Sequence, residues 1–328
     1  MKVVVLGAGA IGCYLGAALS LGGQDVTLIG RGSLKESTLS AGKMQLTDFT
    51  GLDTTIPTPE FTSDPAVLAS ADLIMLTTKC LGVEAAGQQI AEFANPTTPV
   101  MTFQNGIGSE ELLNISNPVI PAIVGFNVAP MGEGRFHRGT EGHVHCTPCT
   151  QAASLTLAFA KSGIKFIAED DFEAVRWAKL QLNLNNAINA LSNMPLKAEL
   201  ETRAYRLILS RAMRELLAIT KTKGLQLPKL TKLPAPLLPH LIRVPDFLFK
   251  RLASQMLAID PTARSSMWED LSNGRMTEID FLNGAVSRVG SELCVATPVN
   301  DALVKLIKQS ENQPLKSISA KKIQSLFN

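Results

Sequence analysis

The chain has 328 residues, 45% of them hydrophobic and 18% charged, with a net charge of +2. That length and apolar content suffice for two domains with buried cores, and so small a net charge gives no drive toward nucleic acid or an anionic membrane. Five cysteines, an odd number at irregular spacing, argue for reduced thiols in a cytoplasmic protein and against a disulfide framework.

The chain opens on MKVVVLGAGAIGCYLGAAL, with no signal peptide ahead of it. Val3–Leu6 is a β-branched run suited to a buried parallel strand. Gly7, Gly9 and Gly12 follow in G-x-G-x-x-G order, enclosing Ala10 and Ile11, and an apolar helix comes next. Each glycine has a task at a dinucleotide site: the tight turn, the approach of backbone to pyrophosphate, and close packing of helix on strand. The helix N-terminus then offers N–H groups to the phosphates. Position between strand and helix makes the motif far stronger than the bare spacing.

The second strand, DVTLIGRG at 25–32, lacks the terminal Asp or Glu that would bind a ribose 2′-hydroxyl. Gly30 and Arg31 stand there instead. A guanidinium can hold a 2′-phosphate bidentately, where a carboxylate would repel it, so the sequence favours NADP(H) over NAD(H). Two further strands end in Thr77-Thr78-Lys79 and in Asn105-Gly106. Strand ends are where doubly wound sheets bind ligands, which makes Lys79 and Asn105 candidates, although Asn-Gly is also ordinary turn chemistry. Residues 119–130 read as one more strand. Residues 132–150 read as an antiparallel hairpin at the sheet edge. The His143, His145, Cys146 and Cys149 group in that stretch lacks a second paired-ligand segment, so no metal is expected. A membrane span is not expected either, because no stretch of about 18 apolar residues is free of charge.

From Asp171 the periodicity becomes helical, with Asp170 and Asp171 as cap candidates and no proline before Pro195. At about 100° per residue, Lys179, Asn183 and Asn186 share an arc of roughly 60°, beside an apolar arc of Leu180, Leu184, Ala187, Ile188 and Leu191. The stretch therefore reads as one buried helix with a polar stripe. Unpaired buried polar groups cost about 1–3 kcal/mol each. Two partners fit the stripe: an amide network between helices, or an oxygen-rich ligand with Lys179 as acid. Residues 228–245, with five prolines, cannot form a single helix. Further on, Ser266 with Glu269 fits a capping box and Thr277 with Asp280 resembles one, so Ser266 and Glu278 have helix-start roles as well as ligand-binding ones.

Taken together, GAGAIG at 7–12, GR at 30–31, TTK ending at Lys79, QNG at 104–106, WAKLQLN at 177–183, and SSMWEDL, TEID and NG between 265 and 284 resemble the ketopantoate reductase (2-dehydropantoate 2-reductase) family. The resemblance implies an α/β Rossmann-type NADP-binding domain over 1–170, doubly wound with a mostly parallel sheet. An all-α domain over 171–328 follows, with substrate held in the cleft between them. It implies NADPH-dependent reduction of the 2-keto group of ketopantoate, a step toward pantothenate and coenzyme A. By motif, Lys179 resembles the lysine that protonates the forming alkoxide, and Asn105 the asparagine near that lysine and the nicotinamide. Asn183, Ser266 and Glu278 resemble substrate-binding residues, and Arg31 and Lys79 stand at cofactor phosphate positions. A second family Asn, four residues past the first, is Ala187 here, which leaves Asn186 or Asn189 to serve. The alternatives are a reductase of another 2-keto acid and a non-catalytic NADPH-binding regulator; a homodimer is compatible with either.

Overall fold

In the computed structural model, residues 1–252 and 261–327 are described. The chain divides into two compact units, Met1–Phe172 and Glu173–Asn328.

The first unit is built on an eight-stranded sheet. Its strands are β1 (Lys2–Leu6), β2 (Asp25–Ile29), β5 (Glu60–Thr62), β6 (Leu73–Leu76), β7 (Val100–Thr102), β8 (Val119–Val124), β11 (Val144–Cys146) and β12 (Phe166–Ala168). Their spatial order is β12-β11-β8-β7-β6-β1-β2-β5. Pairing is parallel from β5 to β8, antiparallel between β8 and β11, and parallel again between β11 and β12. Both faces of β1 are covered, as its unbroken apolar run requires. Val3 and Val5 join one core cluster with Leu15, Leu19 and Phe159. Val4 and Leu6 join another with Ile74, Leu76 and Ile90. The first cluster includes the buried side of α1 (Ala10–Leu21) and of α4 (Ala152–Ala160); the second includes that of α3 (Val83–Phe93).

The stretch 119–130 is two strands and not one. After β8 the chain leaves the main sheet at Gly125, and β9 (Val128–Gly132) enters a separate four-stranded sheet ordered β4-β3-β10-β9. Its other members are β3 (Lys43–Asp48), β4 (Asp53–Pro57) and β10 (Arg135–Arg138). The expected single edge hairpin is corrected in the same way. β10 pairs antiparallel with β9 in this small sheet, while β11 returns to the large one. Gly125 is the last point of contact with β11, donating its N–H to the His143 carbonyl, and a Cβ there would lie 2.8 Å from that oxygen. A buried Arg138–Asp48 ion pair ties β10 to β3, with Arg138 against the rings of Phe49 and Phe126.

The second unit is helical: α5 (Phe172–Asn183, entering from the first unit), α6 (Asn185–Ser192), α7 (Leu196–Glu201), α8 (Arg203–Thr222), α9 (Leu238–Leu241), α10 (Asp246–Leu252), α11 (Ser266–Ser272), α12 (Asn283–Glu292), α13 (Pro298–Ser310) and α14 (Ala320–Gln324). Leu180, Leu184, Ile188, Ile208, Leu216, Val286 and Leu303 are buried in it. The proline-rich 228–245 segment is irregular apart from a 3-10 turn at Ala235–Leu237 and the single turn α9. It is tied down by its carbonyls: Ala235 accepts from Gln181, Pro239 from Ser210, and Ile242 and Val244 from Arg206. No helix among the described residues is long and apolar enough to cross a membrane.

Candidate active site

Gly7, Arg31, Lys79 and Asn105, the candidate nucleotide-binding positions, follow the carboxyl ends of four adjacent strands, β7-β6-β1-β2. Gly7 adopts φ +109°, and a Cβ there would meet the Thr78 nitrogen at 2.5 Å. A Cβ on Gly12 would meet Thr77 Oγ1 at 2.5 Å and the Gly7 oxygen at 2.6 Å. Thr77 Oγ1 in turn donates to the Gly7 carbonyl at 2.8 Å. Two of the three glycines are therefore demanded by the neighbouring strand end. Gly9 differs: it is exposed, and a Cβ there would meet nothing within 4 Å. It is the N-cap of α1 and offers no side-chain cap, so the first-turn N–H groups around Ala10 and Ile11 lack intrahelical partners. Open space over bare N–H groups fits a pyrophosphate.

Arg31 is exposed at the N-cap of α2 (Gly32–Ala41), whose first turn holds no acidic residue. Lys79 is exposed where the chain leaves β6, and Asn105 is half-buried past the end of β7. Sequence reasoning passed over the residue that joins these two loops. Gln104, 6% exposed, donates through Nε2 to the carbonyls of Leu76 and Thr78. The Cys80 thiol donates to the Asn105 carbonyl at 3.2 Å. The polar type of Gln104 directly after an apolar strand was the available signal.

In the second unit, Lys179 and Asn183 lie one turn apart on α5, both half-buried. The protein packed around the Lys179 ammonium lowers its pKa from 10.5 to about 8 by desolvation, and the charge of Glu278 pushes it back up. Glu278, 9% exposed, precedes a 3-10 turn at Ile279–Phe281. That turn is held by Thr277, which donates through both N and Oγ1 to the Glu311 carboxylate. Thr277 Oγ1 also accepts from Ile279 N, a shorter closure than the expected capping box with Asp280.

The single polar-striped helix is corrected too, because it breaks at Leu184 into α5 and α6. The amides of the two helices have different partners. Asn189 is fully buried, donating to the Met194 carbonyl and accepting from Ser265 N. Asn186 keeps a half-buried side chain, while its carbonyl accepts from Ser265 Oγ. The cap of α11 is Ser265, accepting from Trp268 N, and not Ser266, which is the exposed first residue of the helix. The helix-start explanation for Ser266 is thereby removed. On the edge of the first unit, His145 bonds Glu169 at 2.7 Å, and no set of three or more ligating side chains suited to a metal occurs among the described residues.

Two family models match in succession. Residues 3–151 match "Ketopantoate reductase PanE/ApbA" and residues 171–311 match its C-terminal counterpart. The chain belongs to the ketopantoate reductase family. It is 26% identical over 322 residues to a 2-dehydropantoate 2-reductase of Halobacterium salinarum, covering 95% of this chain and 99% of the relative. A crystal structure of a ketopantoate reductase from Ralstonia eutropha superposes with a TM-score of 0.79 at 27% identity, covering 95% and 99% of the two chains. A D-mandelate dehydrogenase solved with NADH and anilino(oxo)acetate shares the fold, with a TM-score of 0.75 at 22% identity and the same coverage. Ketopantoate reductases are oxidoreductases served by a nicotinamide cofactor, and the open glycine loop agrees with that class.

Proposed function

We propose that the chain is an NADPH-dependent 2-dehydropantoate 2-reductase acting on the route to pantothenate and coenzyme A. The observation that carries the reading is Lys179, an ammonium brought by desolvation to a pKa of about 8 with the carboxylate of Glu278 acting on it. A general acid is most effective when its pKa lies near the working pH. When bound, the nicotinamide supplies hydride to the substrate carbonyl carbon. Negative charge then grows on the carbonyl oxygen, and Lys179 stabilises it and delivers the proton. Asn183 and Asn186 orient the substrate with their half-buried amides, Ser266 binds its carboxylate end, and Glu278 accepts from its hydroxyl. In the nucleotide-binding unit, the loop Gly7–Gly12 with Ala10 and Ile11 holds the pyrophosphate, Arg31 and Lys79 hold phosphate charge, and Asn105 stands at the nicotinamide end.

The absence of a carboxylate at the end of β2 supports NADPH over NADH. A second reading, reduction of a different 2-keto acid, is favoured by Ala187, a fully buried methyl where the family pattern has a second amide. One experiment separates them: kcat/KM for ketopantoate and for a panel of 2-keto acids, each with NADPH and with NADH. Highest kcat/KM for ketopantoate with NADPH supports the first reading. A clear preference for another keto acid replaces it.

A further inference from the structure

We propose that Glu199 is held as a neutral carboxylic acid in a reciprocal pair with the Asn185 amide, and that this pair is a positioning element for the polar stripe of α6 and the start of α11. Asn185 Nδ2 donates to Glu199 Oε2 at 2.9 Å. Glu199 is 0% exposed and Asn185 8%. The other half of each group, Glu199 Oε1 and Asn185 Oδ1, is buried with no hydrogen-bond partner among the described residues. With Glu199 ionised these are two unmatched acceptors, an arrangement folded proteins avoid. One proton on Oε1 turns it into a donor to Asn185 Oδ1 and satisfies both.

The nearby charges agree. Arg206 on α8 acts on Glu199 through space, but its guanidinium is already committed. It donates to the carbonyls of Ile242, Leu200 and Val244, pairs with Asp246 at 2.8 Å and stacks on Phe249. Tyr205, also on α8, has its pKa raised, chiefly by burial and also by Glu199. Asn185 and Asn189 face Glu199 from α6 and carry no charge. Burial raises the Glu199 carboxyl to about 8 against the opposing pull of Arg206, of the Asn185 amide and of the nearby Asn189 amide, whose hydrogen bond is made to the Met194 carbonyl and leaves Oε1 without one. The pair joins α7 to α6, and α6 in turn carries Asn186 and Asn189, which hold Ser265 beside Ser266.

The test uses Glu199→Gln, an isostere of the neutral acid whose amide can donate to Asn185 Oδ1. A fold that keeps the Glu199 proton binds more protons than the unfolded chain. That contribution is full below the unfolded carboxyl pKa of about 4 and is lost as pH rises toward about 8. The melting temperature of E199Q minus that of the wild type should therefore climb between about pH 5 and about pH 8. A buried protonated-carboxyl band in the infrared spectrum at neutral pH should vanish in E199Q. A difference that falls or stays level with pH, or a missing band, overturns the neutral acid. The kinetic readout rests on the proposed reductase reaction. E199A should raise KM for the keto acid several-fold, while E199Q restores it. An unchanged KM in E199A overturns the positioning role. Melting and infrared data need no substrate, so a wrong substrate and a wrong Glu199 assignment give different results, and E199Q carries the test if E199A does not fold.

Discussion

Removing the Lys179 ammonium should cost activity and return stability. Holding it at a pKa of about 8 when its ordinary value is 10.5 disfavours the charged form in the fold by about 3 kcal/mol, at 1.36 kcal/mol per unit. The folded protein releases this proton more readily than the unfolded chain. The penalty is therefore complete below about pH 8 and disappears as pH rises toward 10.5. Lys179→Met abolishes the titration. At neutral pH the variant should melt higher than the wild type, by up to roughly 6–12 °C at 2–4 °C per kcal/mol for a unit of this size. The gain is reduced by whatever attraction to Glu278 is lost, so K179M/E278Q is the cleaner comparison. The advantage should shrink steadily above about pH 8. In the same variant kcat should fall by about 10²–10⁴-fold, the usual scale for losing a general acid, with dinucleotide affinity nearly unchanged. Melting curves across pH, steady-state kinetics and a cofactor titration suffice. Near-normal turnover would refute the acid assignment, and a melting difference that does not change with pH would refute the depressed pKa.

Arg31→Ala should weaken NADPH by on the order of 1.5–3 kcal/mol, the scale of a charge-assisted contact, and NADH far less; fluorescence titration of both cofactors checks it, and equal losses remove Arg31 from the 2′-phosphate. Glu278→Ala should raise KM for ketopantoate strongly and for an alkyl 2-keto acid without the hydroxyl hardly at all; equal losses in kcat/KM would show that Glu278 does not read the hydroxyl. Gly12→Ala should destabilise the first unit by about 1–3 kcal/mol through overpacking, since its Cβ would strike Thr77 Oγ1 and the Gly7 oxygen. Gly9→Ala meets nothing within 4 Å and should melt like the wild type while binding dinucleotide more weakly.

The parts of the fold that could be read from sequence are those where one periodicity serves one environment. The run Val3–Leu6 is apolar at every position because both sheet faces are covered, and the glycine motif follows it directly. The second sheet was not legible. Its strand β3 alternates, with Met44, Leu46 and Asp48 buried, but its partner β4 buries Ile56 alone, and β9 continues β8 with almost no change in composition. What distinguishes those two strands is the partner each pairs with, β7 and β11 for β8 and β10 for β9, which leaves no mark in hydropathy. The break at Leu184 was hidden for a similar reason, since α5 and α6 continue a single polar and apolar pattern across it.

The asparagines on either side of that break were the hardest part of the site to divide from sequence. In the sequence one polar stripe joined Lys179, Asn183 and Asn186, and spacing could not decide between Asn186 and Asn189 as the second amide. In the fold they separate by what each amide already does. Asn185 is spent on Glu199, and Asn189 on Met194 and Ser265. Each of these three bonds ties α6 to a neighbouring segment, so the two buried amides serve the amide network that sequence offered as one explanation. Asn183 and Asn186 keep half-buried side chains, and these are the amides that the proposed reaction gives to the ligand, the other explanation. The amide network holds for Asn185 and Asn189, and the proposed reaction assigns the ligand role to Asn183 and Asn186. The burial that lowers the Lys179 pKa needs a rigid surround, and a rigid surround of helices needs internal polar ties. Asn185 and Asn189 supply such ties, which is what the proposed use of Asn183 and Asn186 by substrate requires.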